Sequence, residues 1–246
     1  MIRLSEKAVF VIEELEGHGF EAFAVGGCVR DLLMGIPAHD YDITTNATTD
    51  EIKAVFARFP TVDTGIKHGT VTVIIEKEPF EITTYRLETT YSDNRHPDTV
   101  IFTRRLEDDL SRRDFTVNSI AFNPESGYVD PFDGMADIEK RIIRCVGEPQ
   151  KRFTEDALRI LRALRFASRL DFTLEPRTAQ AVHELKDSLL QVSAERIRKE
   201  LSGILLGKAA PRILEEFSDV IAVILPELQP CIGFVQHNPH HIYDVY

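Results

Sequence analysis

Two aspartates separated by one residue, Asp40 and Asp42, give the strongest chemical signal in the chain. Side chains two positions apart on a strand point to the same face, so a strand here would hold both carboxylates side by side. Adjacent carboxylates repel each other unless a cation neutralises them. Oxygen-only ligands suit Mg²⁺, which usually takes one or two protein carboxylates together with substrate phosphates. The pair therefore predicts a Mg²⁺ site, with an exposed acidic strand end as the simpler alternative.

A glycine pair, Gly26 and Gly27, lies fourteen residues upstream of Asp40, between a predicted strand and a predicted helix that carries Arg30. Glycine lets a backbone approach phosphate closely, and the N–H groups at a helix start favour anions. Arg30 adds a guanidinium group that suits phosphate. The segment matches neither a Walker loop nor the GxGxxG pattern. It predicts a phosphate contact, and a plain tight turn is the alternative.

The elements that must position these residues follow from periodicity and turn signals. We expect a capping box at Thr48 and Glu51, a hairpin turn over residues 77–79 and a polar loop over residues 88–99. Predicted strands cover residues 21–25, 41–45, 69–76, 80–86 and 100–103. Predicted helices cover residues 5–18, 28–34, 48–59, 108–122, 154–170, 175–190 and 193–206, with a shorter one near 213–217. The pattern predicts an α+β domain over residues 1–148, an all-α neck over 149–210 and the start of a further helical region over 211–246.

Composition limits the class of protein. Hydrophobic residues make up 43% of the 246 residues and charged residues 28%, values that exclude wholesale disorder. No apolar run approaches the ~20 residues of a membrane span, and the three cysteines suit a reducing cytosol. The net charge of −11 means that any nucleic-acid contact must use a local basic patch.

Five segments resemble, in order, the five motifs of the bacterial-type tRNA nucleotidyltransferase and poly(A) polymerase family. They are residues 26–35 with 40–43, 112–118, 130–138, 155–166 and 193–201. The resemblance implies a polymerase-β-like head with a mixed sheet, followed by a helical neck. It implies two metals held by Asp40 and Asp42, and transfer of a nucleotide from a nucleoside triphosphate to an RNA 3′ hydroxyl. Glu81 is a candidate third carboxylate, and Arg113 is a candidate triphosphate ligand.

The same resemblance assigns base selection to Asp156 and Arg159. An aspartate that accepts from an exocyclic amino group, with an arginine that donates to the neighbouring ring nitrogen, admits cytosine and adenine. Guanine and uracil present the reverse pattern. Residues 140–169 hold nine Lys or Arg and three Asp or Glu. This basic stretch, which includes Arg162 and Arg165, is expected to bind the nucleotide and the RNA end, although an ordinary solvated helix face is the alternative.

Three products remain open within the family: a full CCA end from CTP and ATP, addition of A alone, or a poly(A) tail. An intact loop over residues 88–100 favours CCA or A addition to the tRNA 3′ end. A catalytically silent nucleotide- or RNA-binding regulator is the alternative of a different class. Residues 237–244 resemble the opening of an HD-type phosphohydrolase domain, which predicts that the chain is a fragment. The oligomeric state is not indicated.

Overall fold

The structure is a computed structural model, and it describes residues 2–63, 65–88 and 100–235. Among these residues, the chain divides into two compact units between Lys140 and Arg141. Residues 142 and 143 belong to the second unit, where they form a short parallel ladder with residues 173 and 174.

A mixed sheet of seven strands forms the first unit. Its strands are β1 (Ala22–Val25), β2 (Asp42–Thr45), β3 (Thr61–Val62), β4 (Thr70–Ile75), β5 (Glu78–Thr84), β8 (Ala121–Asn123) and β9 (Gly127–Val129). They are ordered β3-β4-β5-β2-β1-β8-β9. β2 and β5 run parallel, while the other neighbours in this sheet are antiparallel. A separate antiparallel ladder joins β6 (Arg86–Glu88) to β7 (Val100–Phe102).

The described part of the first unit contains the α-helices α1 (Glu6–Gly17), α2 (Gly27–Leu33), α3 (Thr49–Val55), α4 (Leu106–Ser111) and α5 (Gly134–Lys140). The helical spacing of Ala8, Val11, Ile12 and Leu15 buries one face of α1 in the core, as expected. The predicted capping box opens α3, since the Thr48 side chain accepts from the Glu51 backbone and the Glu51 side chain accepts from the Thr48 backbone. The mixed sheet with these helices confirms the α+β class for this part of the chain.

Two predictions in the first unit were wrong. The hairpin between β4 and β5 turns at Glu76 and Lys77, both with positive φ, and not over residues 77–79. Such a two-residue turn matches the right-handed twist of paired strands. The predicted helix over 108–122 ends after Ser111, and β8 pairs with β1 instead. Pairing of β8 with β1 and β9, which buries Ala121 and Phe122 inside the sheet, outweighs the local helical pattern.

Helices dominate the second unit. They are α6 (Pro149–Glu155), α7 (Leu158–Leu170), α8 (Pro176–Leu185), α9 (Ala194–Leu205), α10 (Ala210–Glu216) and α11 (Ser218–Ile224), with 3-10 turns at Lys186–Gln191 and Pro226–Cys231. The parallel ladder consists of β10 (Ile142–Ile143) and β11 (Thr173–Leu174). α7 and α9 approach closely where Gly207 meets Ser168, whose hydroxyl donates to the Ile204 carbonyl at 2.7 Å.

The predicted helix over residues 154–170 is broken at Asp156, which takes an extended backbone with φ −146° and ψ 105°. Its carboxylate accepts from the backbone N–H of Leu158 at 3.1 Å. Short acidic side chains compete in this way with the backbone, which favours helix ends over helix interiors. Asp156 and Arg159 are therefore not on one continuous helix.

The predicted loop over residues 88–99 lies outside the described residues except for Glu88, and the histidine-rich segment over 237–244 lies wholly outside them. Within the part of the chain that the structure describes, none of the helices is both long enough and apolar enough to span a membrane.

Candidate active site

Strand register brings the predicted carboxylates together. β2 and β5 pair in parallel with Asp42 opposite Glu81, so both side chains project from the same face of the sheet. β2 begins at Asp42, and Asp40 lies in the bend just before it, one residue outside the strand that the sequence predicts. The alternation continues through the bend: Asp40 and Asp42 are exposed, while Tyr41 between them is buried.

The pKa of the Asp42 carboxyl group is perturbed, although the residue surface is exposed. Desolvation by the surrounding protein raises this pKa, the nearby Arg113 guanidinium lowers it, and the Glu81 and Asp40 carboxylates raise it again. The net direction is upward from the ordinary value. A carboxylate that is held close to two others gains most from a bound cation, because the cation removes their mutual repulsion.

The donor set fits Mg²⁺ better than a softer metal. Asp40 and Asp42 offer carboxylate oxygens only, and Mg²⁺ usually binds to one or two carboxylates with substrate phosphates completing its shell. Among the described residues, no group of three or more His, Cys, Asp or Glu side chains is arranged to hold a metal ion by itself. The two carboxylates could hold a metal ion only if oxygens from another source, such as a substrate, complete its coordination shell.

The glycine pair lies beside Arg113. Gly26 has a φ of 80°, which L-residues rarely adopt, and a Cβ atom added there would lie 3.1 Å from Nη1 of Arg113. α2 begins at Gly27. Both the backbone angle and the close approach require glycine at position 26. The predicted phosphate contact at Gly26 and Gly27 therefore has an arginine next to it.

Arg113 is held by a buried carboxylate that sequence reasoning missed. Its Nη2 donates to Asp109 at 3.2 Å, while its buried Nε finds no hydrogen-bond partner among the residues that the structure describes. Asp109 is completely buried and also accepts from Arg112. The spacing gave a signal, because an acid followed by arginines three and four residues later forms ion pairs on a helix.

Arg30 is buried, with 8% of its surface exposed. Its guanidinium donates to Asp31 through Nε and Nη2, at 2.9 and 2.7 Å, and to Asn118 through Nη1, at 2.6 Å. Asn118 in turn donates to Asp114 at 3.2 Å. Arg30 therefore links α2 to the segment that follows Arg113. These hydrogen bonds stabilise the backbone around the glycine turn.

In the second unit, Asp156 pairs with Arg196 and not with Arg159. One Asp156 carboxylate oxygen accepts from Nη2 of Arg196 on α9 at 2.8 Å. Its other carboxylate oxygen accepts from Leu158 N–H. Each carboxylate oxygen has two acceptor positions, so Asp156 keeps capacity for a further donor. Arg196 was part of a recognised motif, but no role was predicted for it.

Arg159 is oriented by α6. Its Nη1 donates to the Glu155 carboxylate at 2.5 Å and to the Arg152 carbonyl oxygen at 3.2 Å. Glu155 also accepts from the Arg152 side chain at 3.0 Å. Asp156 and Arg159 are each fixed by a separate charged partner, which restricts the rotamers of both side chains.

The remaining predicted arginines line the polar side of α7. Arg162 and Arg165 place their guanidinium carbons 5.5 and 4.4 Å from the Phe166 ring centre, a cation–π arrangement. Arg165 also donates to Glu200, and its aliphatic stem crosses Gly203 of α9. Arg165 is thus packed against a neighbouring helix, which an ordinary solvated face would not require.

A mixed sheet that presents paired carboxylates next to a glycine turn and an arginine defines a nucleotidyltransferase fold. The model of the poly(A) polymerase head domain matches residues 22–144, and a second model, described as a probable RNA- and SrmB-binding site of polymerase A, matches residues 171–232. The chain belongs to this poly(A) polymerase family.

Similar proteins carry a more specific name. The chain is 48% identical over 219 residues to the CCA-adding enzyme of Lactobacillus delbrueckii subsp. bulgaricus, covering 88% of this chain and 55% of that protein. It is 48% identical over 229 residues to the CCA-adding enzyme of Pediococcus pentosaceus, covering 93% of this chain and 56% of that protein. The chain therefore spans about half the length of these relatives.

Solved structures of CCA-adding enzymes are also similar to this chain. The Bacillus stearothermophilus CCA-adding enzyme in complex with CTP superposes with a TM-score of 0.79 at 44% identity, covering 87% of this chain and 51% of that one. The Thermotoga maritima CCA-adding enzyme complexed with tRNA-CCA superposes with a TM-score of 0.75 at 26% identity, covering 96% of this chain and 55% of that one.

Proposed function

We propose that the protein adds C, C and A from CTP and ATP to the 3′ end of tRNA without a nucleic-acid template, releasing pyrophosphate. The observation that carries the proposal is the in-register pairing of Asp42 with Glu81, next to Asp40 and Arg113. The names of the relatives narrow the substrate to the tRNA 3′ end, because they are CCA-adding enzymes.

Asp40 and Asp42 would hold Mg²⁺. Glu81, on the neighbouring strand in register with Asp42, would be a third acidic group beside them. When bound there, Mg²⁺ would supply charge neutralisation at the phosphates and would favour the attacking hydroxyl in its ionised form. The protein's own task at this point is positioning. Transfer of this kind depends on in-line placement of the hydroxyl and the α-phosphate more than on covalent participation by side chains.

Arg113 and the glycine turn would bind the triphosphate. The unpartnered Nε and the guanidinium beside Gly26 offer donors for phosphate oxygens. Arg30 would contribute indirectly, by stabilising the Gly26–Gly27 turn through its hydrogen bonds to Asp31 and Asn118. These donors would also stabilise the negative charge that accumulates on the departing pyrophosphate.

Asp156 and Arg159 would select the base, and Arg162 and Arg165 would add positive charge beside it. Asp156 would accept from the amino group of cytosine or adenine, and Arg159 would donate to the adjacent ring nitrogen. Guanine or uracil would place a carbonyl against Asp156 and leave buried polar groups unpaired, which costs about 1–3 kcal/mol for each group. The pairs with Arg196 and Glu155 would keep the two side chains in place for this task.

We infer a cytoplasmic location, where tRNA maturation takes place, and a head, neck and initial body at residues 1–148, 149–210 and 211–246. A poly(A)-tailing activity and addition of A alone are the competing products within the same chemistry.

Primer extension tests the proposal. Three tRNA transcripts, ending before CCA, after the first C and after CC, would be incubated with Mg²⁺ and each nucleoside triphosphate singly, and then with ATP and CTP together. Addition of C, C and A followed by a stop supports the proposal. A long A ladder would replace it with poly(A) tailing, and incorporation of A only on the CC end would replace it with A addition. No extension of any transcript would contradict it for this chain.

A further inference from the structure

Asp109 lies at the meeting point of four segments of the first unit. It is completely buried, on α4, and its two carboxylate oxygens accept from five donors. Arg112 donates through Nε at 2.9 Å and Nη2 at 2.8 Å, and Arg113 donates through Nη2 at 3.2 Å. The Thr44 hydroxyl donates at 3.2 Å and the Arg86 backbone N–H at 3.4 Å.

These donors belong to the parts of the first unit that carry its chemistry. Thr44 is on β2, two residues after Asp42, and Arg86 is the first residue of β6. Arg113 lies against Gly26 and close enough to Asp42 to lower its pKa. Asp109 thus connects the metal-binding strand, the glycine turn and the arginine pair through a single carboxylate.

Charge arithmetic supports a role beyond packing. Burial pushes the pKa of Asp109 upward, and Arg112 and Arg113 lower it by more, so this carboxyl group is ionised in the folded protein. Two arginines and one carboxylate leave one net positive charge. Among the residues that the structure describes, Asp109 accepts from Nη2 of Arg113 alone, and the buried Nε of that guanidinium has no hydrogen-bond partner.

We propose that Asp109 is a positioning residue that holds the Arg113 guanidinium in the orientation that binds the triphosphate of the incoming nucleotide. This inference rests on the proposed function only for the identity of the anion. Without Asp109, Arg113 would lose its anchor and gain rotamer freedom, which must then be lost on binding. The proposal therefore predicts weaker phosphate binding with little change in base choice.

Inorganic tripolyphosphate is the probe, because its dissociation constant reports phosphate binding by Arg113 and requires neither RNA nor turnover. We expect Asp109→Asn to weaken tripolyphosphate binding about tenfold, the effect of one hydrogen bond to a charged group. In nucleotide addition the KM for ATP and for CTP should rise by a similar factor, with a smaller change in kcat. Glu107→Gln, an exposed acid on the same helix that pairs with Arg105, is the matched control and should leave binding unchanged.

A double-mutant cycle separates positioning from general structural support. If Asp109 acts through Arg113, Asp109→Asn should cause little further loss of tripolyphosphate binding once Arg113→Lys is present. Equal losses in both backgrounds would overturn the proposal. Should Asp109→Asn not fold, Thr44→Val removes one of the five donors while keeping the side-chain volume. It should weaken tripolyphosphate binding by a smaller factor, and the loss should again disappear in the Arg113→Lys background.

The readout also distinguishes the two proposals. Tripolyphosphate binding that depends on Asp109, in a protein that extends no tRNA, supports the positioning role and contradicts the proposed function. Normal tRNA extension with tripolyphosphate binding that is indifferent to Asp109→Asn supports the function and overturns the positioning role.

Discussion

In the first unit, Asp42 and Glu81 are placed by the backbone register of two parallel strands. In the second unit, Asp156 and Arg159 are placed by ion pairs with Arg196 and Glu155. The register of a strand is specified by its whole buried face, so a carboxylate on β2 cannot move without the sheet. A side chain that is held by ion pairs depends on partners that a single substitution can remove. The comparison shows that backbone pairing fixes the site residues of the sheet unit, whereas side-chain ion pairs fix those of the helical unit.

The largest expected effect breaks the fixed geometry. Asp42→Asn keeps the shape of the side chain and removes the charge that a metal needs. Because metal-assisted charge stabilisation contributes several kcal/mol, single-turnover incorporation should fall about a thousandfold or more for every nucleotide. Asp50→Asn, at an exposed position in the first turn of α3, is the control and should keep full activity. A folded Asp42→Asn protein of normal rate would remove the carboxylate pair from the chemistry.

A smaller effect on nucleotide incorporation is expected from a change in the helical unit. Arg159→Ala removes one donor to the base, which is worth about 1.5–3 kcal/mol when it is charged. Discrimination of C and A against G and U should therefore narrow about 10- to 100-fold, measured as ratios of kcat/KM for the four nucleotides. Arg177→Ala, which removes an exposed arginine paired with Glu148, should leave these ratios as they are. Unchanged ratios in Arg159→Ala would exclude this residue from base selection.

The packing of α7 against the end of α9 is close enough that one added methyl group at Gly207 should disturb it. A Cβ atom at Gly207 would lie 2.0 Å from the Ser168 hydroxyl and 2.6 Å from its backbone carbon. Gly207→Ala should lower the free energy of unfolding by about 1–3 kcal/mol in urea titrations, as overpacking usually does. Gly17→Ala, where nothing lies within 4 Å, should be neutral or slightly stabilising. Equal stability of the two variants would contradict the close approach of α7 and α9.

The smallest expected effect concerns pH. Burial raises the pKa of Asp219, but hydrogen bonds from Lys186 and His183 and their charges lower it by more, so its pKa lies below the ordinary carboxyl value. A lowered pKa contributes stability that is present above the unfolded-state pKa and is lost as pH falls through the folded-state pKa. Since Asp219 is partly exposed, solvent screening limits its contribution to about 0.5 kcal/mol.

Asp219→Asn should therefore lower the free energy of unfolding slightly at neutral pH, and the difference from the unmodified protein should vanish in acid. Urea titrations across this pH range measure it. Asp187→Asn, at an exposed position on the neighbouring 3-10 turn, is the control and should leave the free energy of unfolding unchanged at neutral pH. A loss that is constant with pH in Asp219→Asn would show that the carboxylate charge is not its cause.

Local signals in the sequence were sufficient for part of this structure. The Asp-x-Asp spacing, the capping box at Thr48 and the buried face of α1 depend on neighbours within a few residues, and the structure places each of them as expected apart from the start of β2. The broken helix at Asp156 and the strand at Ala121 depend on partners far along the chain. A periodicity argument cannot include those partners.

The site residues also divide into those indicated by nearby sequence and those that depend on distant partners. Asp42 was found because its neighbour in sequence is also its neighbour in space. The bond from Asp156 to Arg196 joins residues forty positions apart, and the one from Thr44 to Asp109 joins residues sixty-five apart. Spacing within one segment could not have indicated either contact.

The central claim is that chemistry and base choice are carried by different residues, Asp42 in the sheet unit and Arg159 in the helical unit. The most direct test measures kcat/KM for ATP, CTP, GTP and UTP on two tRNA transcripts, one that ends before CCA and one that ends in CC, for the unmodified protein, Asp42→Asn and Arg159→Ala. We expect Asp42→Asn to lower all the kcat/KM values by a common factor and Arg159→Ala to change their ratios. Altered ratios in Asp42→Asn, or a uniform loss in Arg159→Ala, would contradict it.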